Sequence, residues 1–136
     1  MTFRFTTPTP LRWVDLDAEG VVNNAVYLSL MEQARFAYFT RLGQQQGQQV
    51  PFVLAEARVG FRKPGRLGME VTTAAAVVRL GTASFTMQFE VRGGAEVLAE
   101  GTAVLVFVDR SFRPTPMPAA TRAAIAAFEG IQQQAG

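Results

Sequence analysis

Residues 25–42 carry apolar side chains around almost the whole circumference of a helix, and this feature constrains the fold more than any other. The apolar positions follow the spacing of helical turns and fill the remaining faces as well: Val26, Tyr27, Leu28, Leu30, Met31, Ala34, Phe36, Ala37, Tyr38 and Leu42. A helix that is apolar on every side is buried, not laid on a surface. The sequence therefore predicts one long central helix, begun by an N-cap at Asn23 or Asn24 and ended by Gly43, that other elements must surround.

Beyond this helix the spacing of apolar residues changes from about 3.6 to two, and such alternation predicts strands. It runs over residues 53–61, 71–78 and 85–92, and a last strand over 97–108 ends in an apolar stretch that implies burial on both faces. Glycine-containing turns separate the later strands, so we expect consecutive strands to pair antiparallel. A first strand ends over residues 11–14, and prolines in its early part favour an edge position.

The order of these elements is strand, long helix, four strands and a short helix over residues 119–128. A glutamine-rich loop over 44–49 follows the long helix, and the tail over 131–136 is expected to fray. One buried helix and about five strands fit together when an antiparallel sheet curves around the helix, which is the α+β arrangement called the hotdog fold. Neither a linker nor a repeat divides the sequence, so residues 1–136 are predicted to form one hotdog domain.

The chain contains no cysteine and no histidine. It therefore has no disulfide framework, no thiolate or Ser-His-Asp nucleophile, and no imidazole ligand for a metal. Acid–base or nucleophilic chemistry must fall to carboxylates, Lys63, tyrosines or hydroxyls, and we expect neither a metal nor a resident cofactor. Hydrophobic residues make up 49% of the chain, yet no stretch is long enough to span a membrane, so we expect a cytoplasmic protein without a membrane partner.

The positive charge of the chain is concentrated in one segment. Residues 58–92 carry six basic and two acidic residues, whereas the whole chain has a formal net charge of only +2. Arg62, Lys63 and Arg66 surround a Pro-Gly turn (the basic turn, residues 62–66), with Arg79 near the adjoining hairpin. Such local charge suits a ligand with a few phosphates better than a nucleic acid, although an ordinary solvated turn has the same composition.

A second informative segment places two acids and a glycine turn directly before the central helix. Asp15 and Asp17 precede Gly20, and Asn24 lies where the helix begins. A carboxylate beside the free N–H groups of a helix N-terminus is suited to acyl chemistry. The N–H groups polarise a carbonyl and receive the developing oxyanion, while the carboxylate activates water or attacks directly. On composition alone the simpler interpretation is that the acids bond turn amides and that Asn24 is only a cap.

The run from Asp15 to Arg35, DLDAEGVVNNAVYLSLMEQAR, resembles the opening signature of the hotdog-fold acyl-CoA thioesterases related to 4-hydroxybenzoyl-CoA thioesterase. In that family an Asp follows the first strand, a Gly turn comes next, and a Tyr lies in the first turns of the central helix. The resemblance continues at 61–68, which is similar to the family's Arg-Pro-x-x-x-Gly turn, and at 79–85, 101–103 and 116–118. It therefore covers nearly the whole chain in the right order.

This resemblance implies hydrolysis of an acyl-CoA thioester to the free acid and coenzyme A. It places the catalytic carboxylate on Asp17, as nucleophile or general base, and the polarising backbone amide near Asn24. The side chain of Asn24 either binds the thioester carbonyl, orients water, or only caps the helix. Val21 stands where one subgroup of the family has a histidine, which removes one acid–base group but leaves the role of Asp17 intact.

The other polar residues near this segment receive supporting roles. Asp15 is expected to face away from Asp17 and support the turn, and Tyr27 and Tyr38 to line the core or the substrate pocket, not to donate protons. Glu32 lies three residues before Arg35, so an ion pair is expected there more than catalysis. We carry Tyr27 and the three cations of the basic turn as substrate-binding candidates. The alternative function is a non-catalytic module that binds acyl-CoA or acyl carrier protein.

A five-stranded sheet around one helix leaves edge strands, which proteins cover, charge or pair. Two protomers related by a two-fold axis can join their sheets edge to edge, and the family resemblance also implies a homodimer or a dimer of dimers. Asp17 and the basic turn that serve one thioester would then come from different chains. The alternative is a monomer in which the C-terminal helix covers the apolar sheet face.

Overall fold

The computed structural model describes residues 2–44 and 52–131. It contains a short 3₁₀ turn at Trp13–Asp15 and the following strands and helices: β1 (Phe5–Pro8), α1 (Val26–Arg41), β2 (Phe52–Phe61), β3 (Val71–Leu80), β4 (Ser84–Gly93), β5 (Glu96–Phe107) and α2 (Ala119–Glu129). The predicted α+β class, the long helix and the four later strands are confirmed. Residues 45–49 of the predicted glutamine-rich loop and residues 132–136 of the predicted tail lie outside the described residues.

The strands form one antiparallel sheet in the order β1-β3-β4-β5-β2. The β3–β4 and β4–β5 hairpins are as expected, and β1 is an edge strand, as its proline suggested. Strand β2 does not pair with β3, which follows it in sequence. It crosses to β5 instead, with register from Phe52 opposite Phe107 to Phe61 opposite Ala99, and forms the second edge.

The first strand lies earlier than residues 11–14. Residues 12–15 form a compact turn in which the Asp15 carboxylate accepts the backbone N–H of Arg12 at 2.8 Å and its guanidinium at 2.9 Å. A side chain that bonds the nearby backbone in this way competes with a strand ladder. The segment at 11–14 was therefore wrongly predicted as a strand.

Helix α1 packs one face on the sheet through residues that are almost fully buried: Tyr27, Leu30, Met31, Ala34, Tyr38 and Phe39. Its other face is open, since the Phe36 side chain is 58% exposed and Glu32 and Gln33 are exposed too. The prediction of burial on every side is thus wrong within one chain. The five-stranded sheet covers only one side of the helix, so burial of the other side would need a second packing surface.

The C-terminal end of α1 has the expected glycine cap, whereas the N-cap position falls on Ala25, without a side-chain cap bond, and not on Asn23 or Asn24. The Asn23 side-chain oxygen Oδ1 accepts the N–H of Ala25 at 3.0 Å. At the other end Gly43 has a φ of +71°, its N–H donates to the Thr40 carbonyl, and the Gln44 N–H donates to the Phe39 carbonyl. This pair of bonds is the Schellman motif, which a left-handed glycine permits.

Strand β5 alternates instead of being buried on both faces. Leu105 and Phe107 are buried against the helix layer, whereas Val104 and Val106 on the outer face are half-buried, so that prediction is wrong within one chain. Helix α2 packs on β3, and its Phe128 and Glu129 contact Tyr38 of α1. No helix within residues 2–44 and 52–131 is both long and apolar enough to cross a membrane.

Candidate active site

Asp17 lies on an exposed loop that the backbone closes tightly. Leu16 and Val22 pair across it, and the Asp17 N–H donates to the Val21 carbonyl at 2.8 Å. One carboxylate oxygen, Oδ1, accepts the N–H groups of Glu19 at 2.8 Å and Val21 at 3.3 Å. The second oxygen, Oδ2, makes no hydrogen bond to any residue that the structure describes. The carboxylate is therefore held in place by one oxygen while the other is available to react.

Asp15 has the supporting role expected of it. Its side chain is only 4% exposed and pairs with Arg12. The hydrogen bond from that guanidinium is the main reason why the pKa of the Asp15 carboxyl lies below its usual value. The Asp15 backbone carbonyl accepts the Asn23 N–H at 2.9 Å, which fixes the loop against the start of the helix.

The start of the helix offers an unused backbone donor at Asn24. The N–H of Asn23 is bonded to Asp15, and those of Ala25 and Val26 are bonded to the side chain and the carbonyl of Asn23. The N–H of Asn24 between them, and its exposed side chain, make no hydrogen bond within the described part of the chain. A free amide next to a helix N-terminus is suited to bind a carbonyl oxygen that gains negative charge.

Most of the sequence-predicted site residues line two neighbouring clefts, and Arg66 lines neither of them. Asn24, Tyr27, Arg62 and Lys63 line one cleft of about 250 Å³, together with Phe61, Pro64 and the two valines of the loop. Asp17 lines another, open cleft of about 600 Å³. The structure thus brings Asn24 together with Arg62 and Lys63 of the basic turn in one chain and leaves Asp17 in the adjoining cleft.

Two residues of the Asp17 cleft were missed by sequence reasoning. Trp13 and Val14 are 77% and 68% exposed, and they line this cleft with Leu16. Their position directly before the acid pair was a usable signal, but their assignment to a strand obscured it. They make the surroundings of Asp17 apolar.

The cations of the basic turn are not equivalent. The Arg62 guanidinium pairs with Glu100 at 2.9 Å and the Lys63 ammonium pairs with Glu96 at 2.9 Å. Both acids lie on β5, whose distance in sequence hid them from a count of charge along the chain. Arg66 is exposed and has no ion pair with a described residue. Arg79 lies at the β3–β4 hairpin, as expected. This position is roughly 25 Å along β3 from its start, so Arg79 does not add to the charge of the basic turn.

Tyr27 lies beneath the basic turn. Its side chain is 2% exposed, and its hydroxyl oxygen accepts the N–H of Gly65 at 3.2 Å. Burial raises the pKa of the Tyr27 hydroxyl, so it stays protonated at neutral pH. The turn also contacts the loop directly, because the Val22 N–H donates to the Gly65 carbonyl at 2.8 Å.

Tyr38, Glu32 and Arg35 of α1 line neither of the two clefts. Tyr38 is buried and donates to Glu129 at 2.5 Å, which agrees with a core role. Glu32 and Arg35 form no ion pair. The Arg35 guanidinium lies 5.4 Å from the centre of the Phe52 ring, and burial lowers its pKa. Over residues 2–44 and 52–131 no group of three or more acidic side chains is arranged to hold a metal ion.

Comparisons with known proteins agree with this architecture. The family model described as "Thioesterase-like superfamily" matches residues 11–125. A thioesterase from Thermus thermophilus, solved with coenzyme A and Zn, is 39% identical, with 96% of this chain and 97% of that chain covered and a TM-score of 0.88. A thioesterase superfamily protein from Jannaschia sp. CCS1 is 28% identical, with 97% and 87% covered and a TM-score of 0.85.

A 1,4-dihydroxy-2-naphthoyl-CoA thioesterase from Synechocystis shares the fold at 18% identity, with 90% and 95% of the chains covered and a TM-score of 0.82. None of the curated proteins that were compared matches the chain. Because the family model spans most of the sequence and the Thermus enzyme aligns over nearly all of it, this chain belongs to the thioesterase-like superfamily of enzymes and has their hotdog fold.

Proposed function

We propose that the thioester hydrolysed by this enzyme is an acyl-CoA, and that the products are the free acid and coenzyme A. The relative from Thermus thermophilus, which was solved with coenzyme A, supports this substrate class. So does the basic turn, because its guanidinium and ammonium groups suit the phosphates of coenzyme A. The apolar cleft around Asp17 suits an acyl group. We place the protein in the cytoplasm, where no disulfide is needed.

The reaction adds water across the carbonyl–sulfur bond. Asp17 acts through Oδ2, either as a general base that takes a proton from water or as a nucleophile that forms a mixed anhydride, which water then cleaves. The backbone N–H at Asn24 donates to the carbonyl oxygen as it becomes negative. The thiolate of coenzyme A leaves and takes up a proton. The observation that carries this proposal is the Asn24 N–H, which bonds no described residue although the N–H groups of Asn23 and Ala25 on either side are bonded.

We also propose that the working unit is a homodimer or a dimer of dimers, joined through β2. This strand is a sheet edge, and residues 53–58 are exposed on both of its faces. An edge of ten residues with few charges is a template for pairing with a second copy. Within one chain Asp17 and the basic turn line different clefts. A two-fold partner allows Asp17 of one chain to act on a thioester held by the turn of the other.

Oligomeric state and site sharing are tested separately. Light scattering at micromolar concentration should give at least twice the 14.8 kDa mass of one chain. Asp17→Asn protomers mixed with protomers that carry Arg62→Gln and Arg66→Gln should regain part of the activity. A mass of one chain would refute the dimer, and no recovery in a confirmed mixed dimer would refute the shared site.

The alternative is a module that binds acyl-CoA or acyl carrier protein without turnover, and membership of an enzyme superfamily weighs against it. Release of free thiol from a panel of acyl-CoAs, from short and long aliphatic to aromatic, separates the two functions. We expect hydrolysis of at least one substrate by the wild type and by Glu19→Gln, a neighbouring exposed carboxylate. We expect none above background from Asp17→Asn. Tight binding with no turnover across the whole panel would favour the module.

A further inference from the structure

The three cations of the basic turn differ in what already neutralises them. Arg62 and Lys63 each lie 2.9 Å from a carboxylate of β5. A phosphate that binds either cation must compete with that carboxylate. Arg66 has no carboxylate within ion-pair distance among the described residues, and its side chain is exposed. It is therefore the cation of the turn best able to donate two N–H groups to a phosphate.

The backbone on the N-terminal side of Arg66 is fixed from two directions. The carbonyl of Gly65 accepts the Val22 N–H at 2.8 Å, and the Gly65 N–H donates to the Tyr27 hydroxyl oxygen at 3.2 Å. The approach is close: a Cβ at residue 65 would lie 2.8 Å from Val22 Cγ2 and 3.0 Å from the Tyr27 oxygen. Arg66 itself pairs with Val21 across the same contact. Its side chain thus starts from a backbone that is held against the helix start.

The Tyr27 hydroxyl is the side-chain group in this anchor. The Tyr27 ring is packed 5.6 Å from the ring of Phe61, so its position is set by the core and not by the turn. Removal of the hydroxyl would keep that packing but leave the buried Gly65 N–H without an acceptor, a cost that favours displacement of the turn. The hydroxyl is therefore one of the contacts that set the position of the turn.

We propose that Tyr27 is a positioning residue, which holds the basic turn through Gly65 so that Arg66 meets the phosphates of coenzyme A. This inference rests on the proposed acyl-CoA function. It separates the substrate-binding candidates by role: Arg66 contacts the ligand, whereas Tyr27 acts through Arg66 and does not touch the thioester.

The test is a double-mutant cycle on coenzyme A binding, measured by calorimetry on the intact protein. Arg66→Gln should raise the Kd for coenzyme A about tenfold, the loss of one charge-assisted contact. Tyr27→Phe should raise it about fivefold. In the Arg66→Gln background, Tyr27→Phe should change the Kd less than twofold, because its effect passes through Arg66. Arg79→Gln removes the same charge near the other end of β3 and serves as the matched control, with a Kd within twofold of the wild type.

Kinetics add a readout that a general loss of structure would not give. For an acyl-CoA that the wild type hydrolyses, Tyr27→Phe should raise KM and leave kcat unchanged, and the matching acyl-pantetheine, which lacks the nucleotide phosphates, should show no KM change. Additive effects of the two substitutions, or an equal KM change with acyl-pantetheine, would overturn the inference. If no acyl-CoA is hydrolysed, the proposed function fails while the binding cycle still decides this inference. If coenzyme A does not bind the wild type, the inference is overturned. If Tyr27→Phe does not fold, Arg66→Gln still tests the phosphate contact on which the inference depends, because the Arg66 side chain is exposed, and a Kd within twofold of the wild type would overturn the inference.

Discussion

Replacement of Gly101 by alanine should destabilise the protein because α1 crosses β5 at this residue. A Cβ there would lie 2.5 Å from Met31 Sδ, 2.7 Å from Met31 Cε and 3.3 Å from the backbone oxygen of Arg58. The first two distances fall about an ångström or more short of the roughly 3.5–4.0 Å of an optimal contact. Met31 is flexible at its end but is 2% exposed, so it can move only by displacing other core side chains.

Overpacking of this kind costs about 1–3 kcal/mol, and alanine recovers about 0.4–1 kcal/mol by restricting the unfolded chain. We therefore expect a net loss of roughly 1–2 kcal/mol, measured by urea unfolding at fixed protein concentration. Gly60→Ala on β2 is the matched control, since its Cβ would meet nothing closer than 3.8 Å and should cost nothing. In a Met31→Ala background the same Gly101→Ala change should cost at least about 1 kcal/mol less. Equal stability of the two glycine variants would refute this account of the contact between α1 and β5. So would free-energy changes of Gly101→Ala and Met31→Ala that add strictly in the double variant.

Three further predictions follow from individual contacts. Asp15→Asn should lower the Tm at neutral pH, because a carboxyl with a lowered pKa stabilises the fold only while it is ionised. The difference in Tm from the wild type should close as the pH falls below roughly 4. A difference in Tm that is the same at pH 3 and pH 7 would contradict this prediction. Tyr38→Phe should cost about 1–2 kcal/mol in urea unfolding, because Glu129 loses the hydroxyl donor and keeps the Val77 N–H, and the loss should shrink in a Glu129→Gln background. Asn24→Ala, which keeps the backbone N–H, should retain kcat within about threefold; a hundredfold loss would assign the carbonyl contact to the side chain instead.

Local periodicity was sufficient to predict most of the fold. The helix at residues 26–41 and the strands from 52 onward follow from spacings that each segment carries by itself. The first strand could not be placed in this way. Residues 5–8 are a strand because β3 lies opposite them, and residues 11–14 are not because Asp15 bonds the backbone of Arg12. Both facts depend on contacts that a linear pattern does not contain.

In the candidate site, too, features set by neighbouring residues were predicted and features set by distant contacts were not. Asp15, Asp17 and Asn24 were singled out because two acids and a glycine turn precede the helix start, and the family resemblance assigned Asp17 and Asn24 their predicted roles. The basic turn was found too, but its charge was overestimated, since Glu96 and Glu100 reach it across the β2–β5 ladder. Arg79 lies near its hairpin, as predicted, but it was counted with the charge of the basic turn although a strand length separates it from the start of β3.

The central claim is that Asp17 performs the chemical step of acyl-CoA hydrolysis. The most direct measurement is the single-turnover rate of thioester cleavage by Asp17→Asn, with an acyl-CoA that the wild type hydrolyses and with coenzyme A binding measured on the same sample. We predict a rate reduced by about a hundredfold or more, with the Kd for coenzyme A within twofold of the wild type. Glu19→Gln should keep both values. A rate for Asp17→Asn within threefold of the wild type would contradict the assignment of the reaction to this carboxylate.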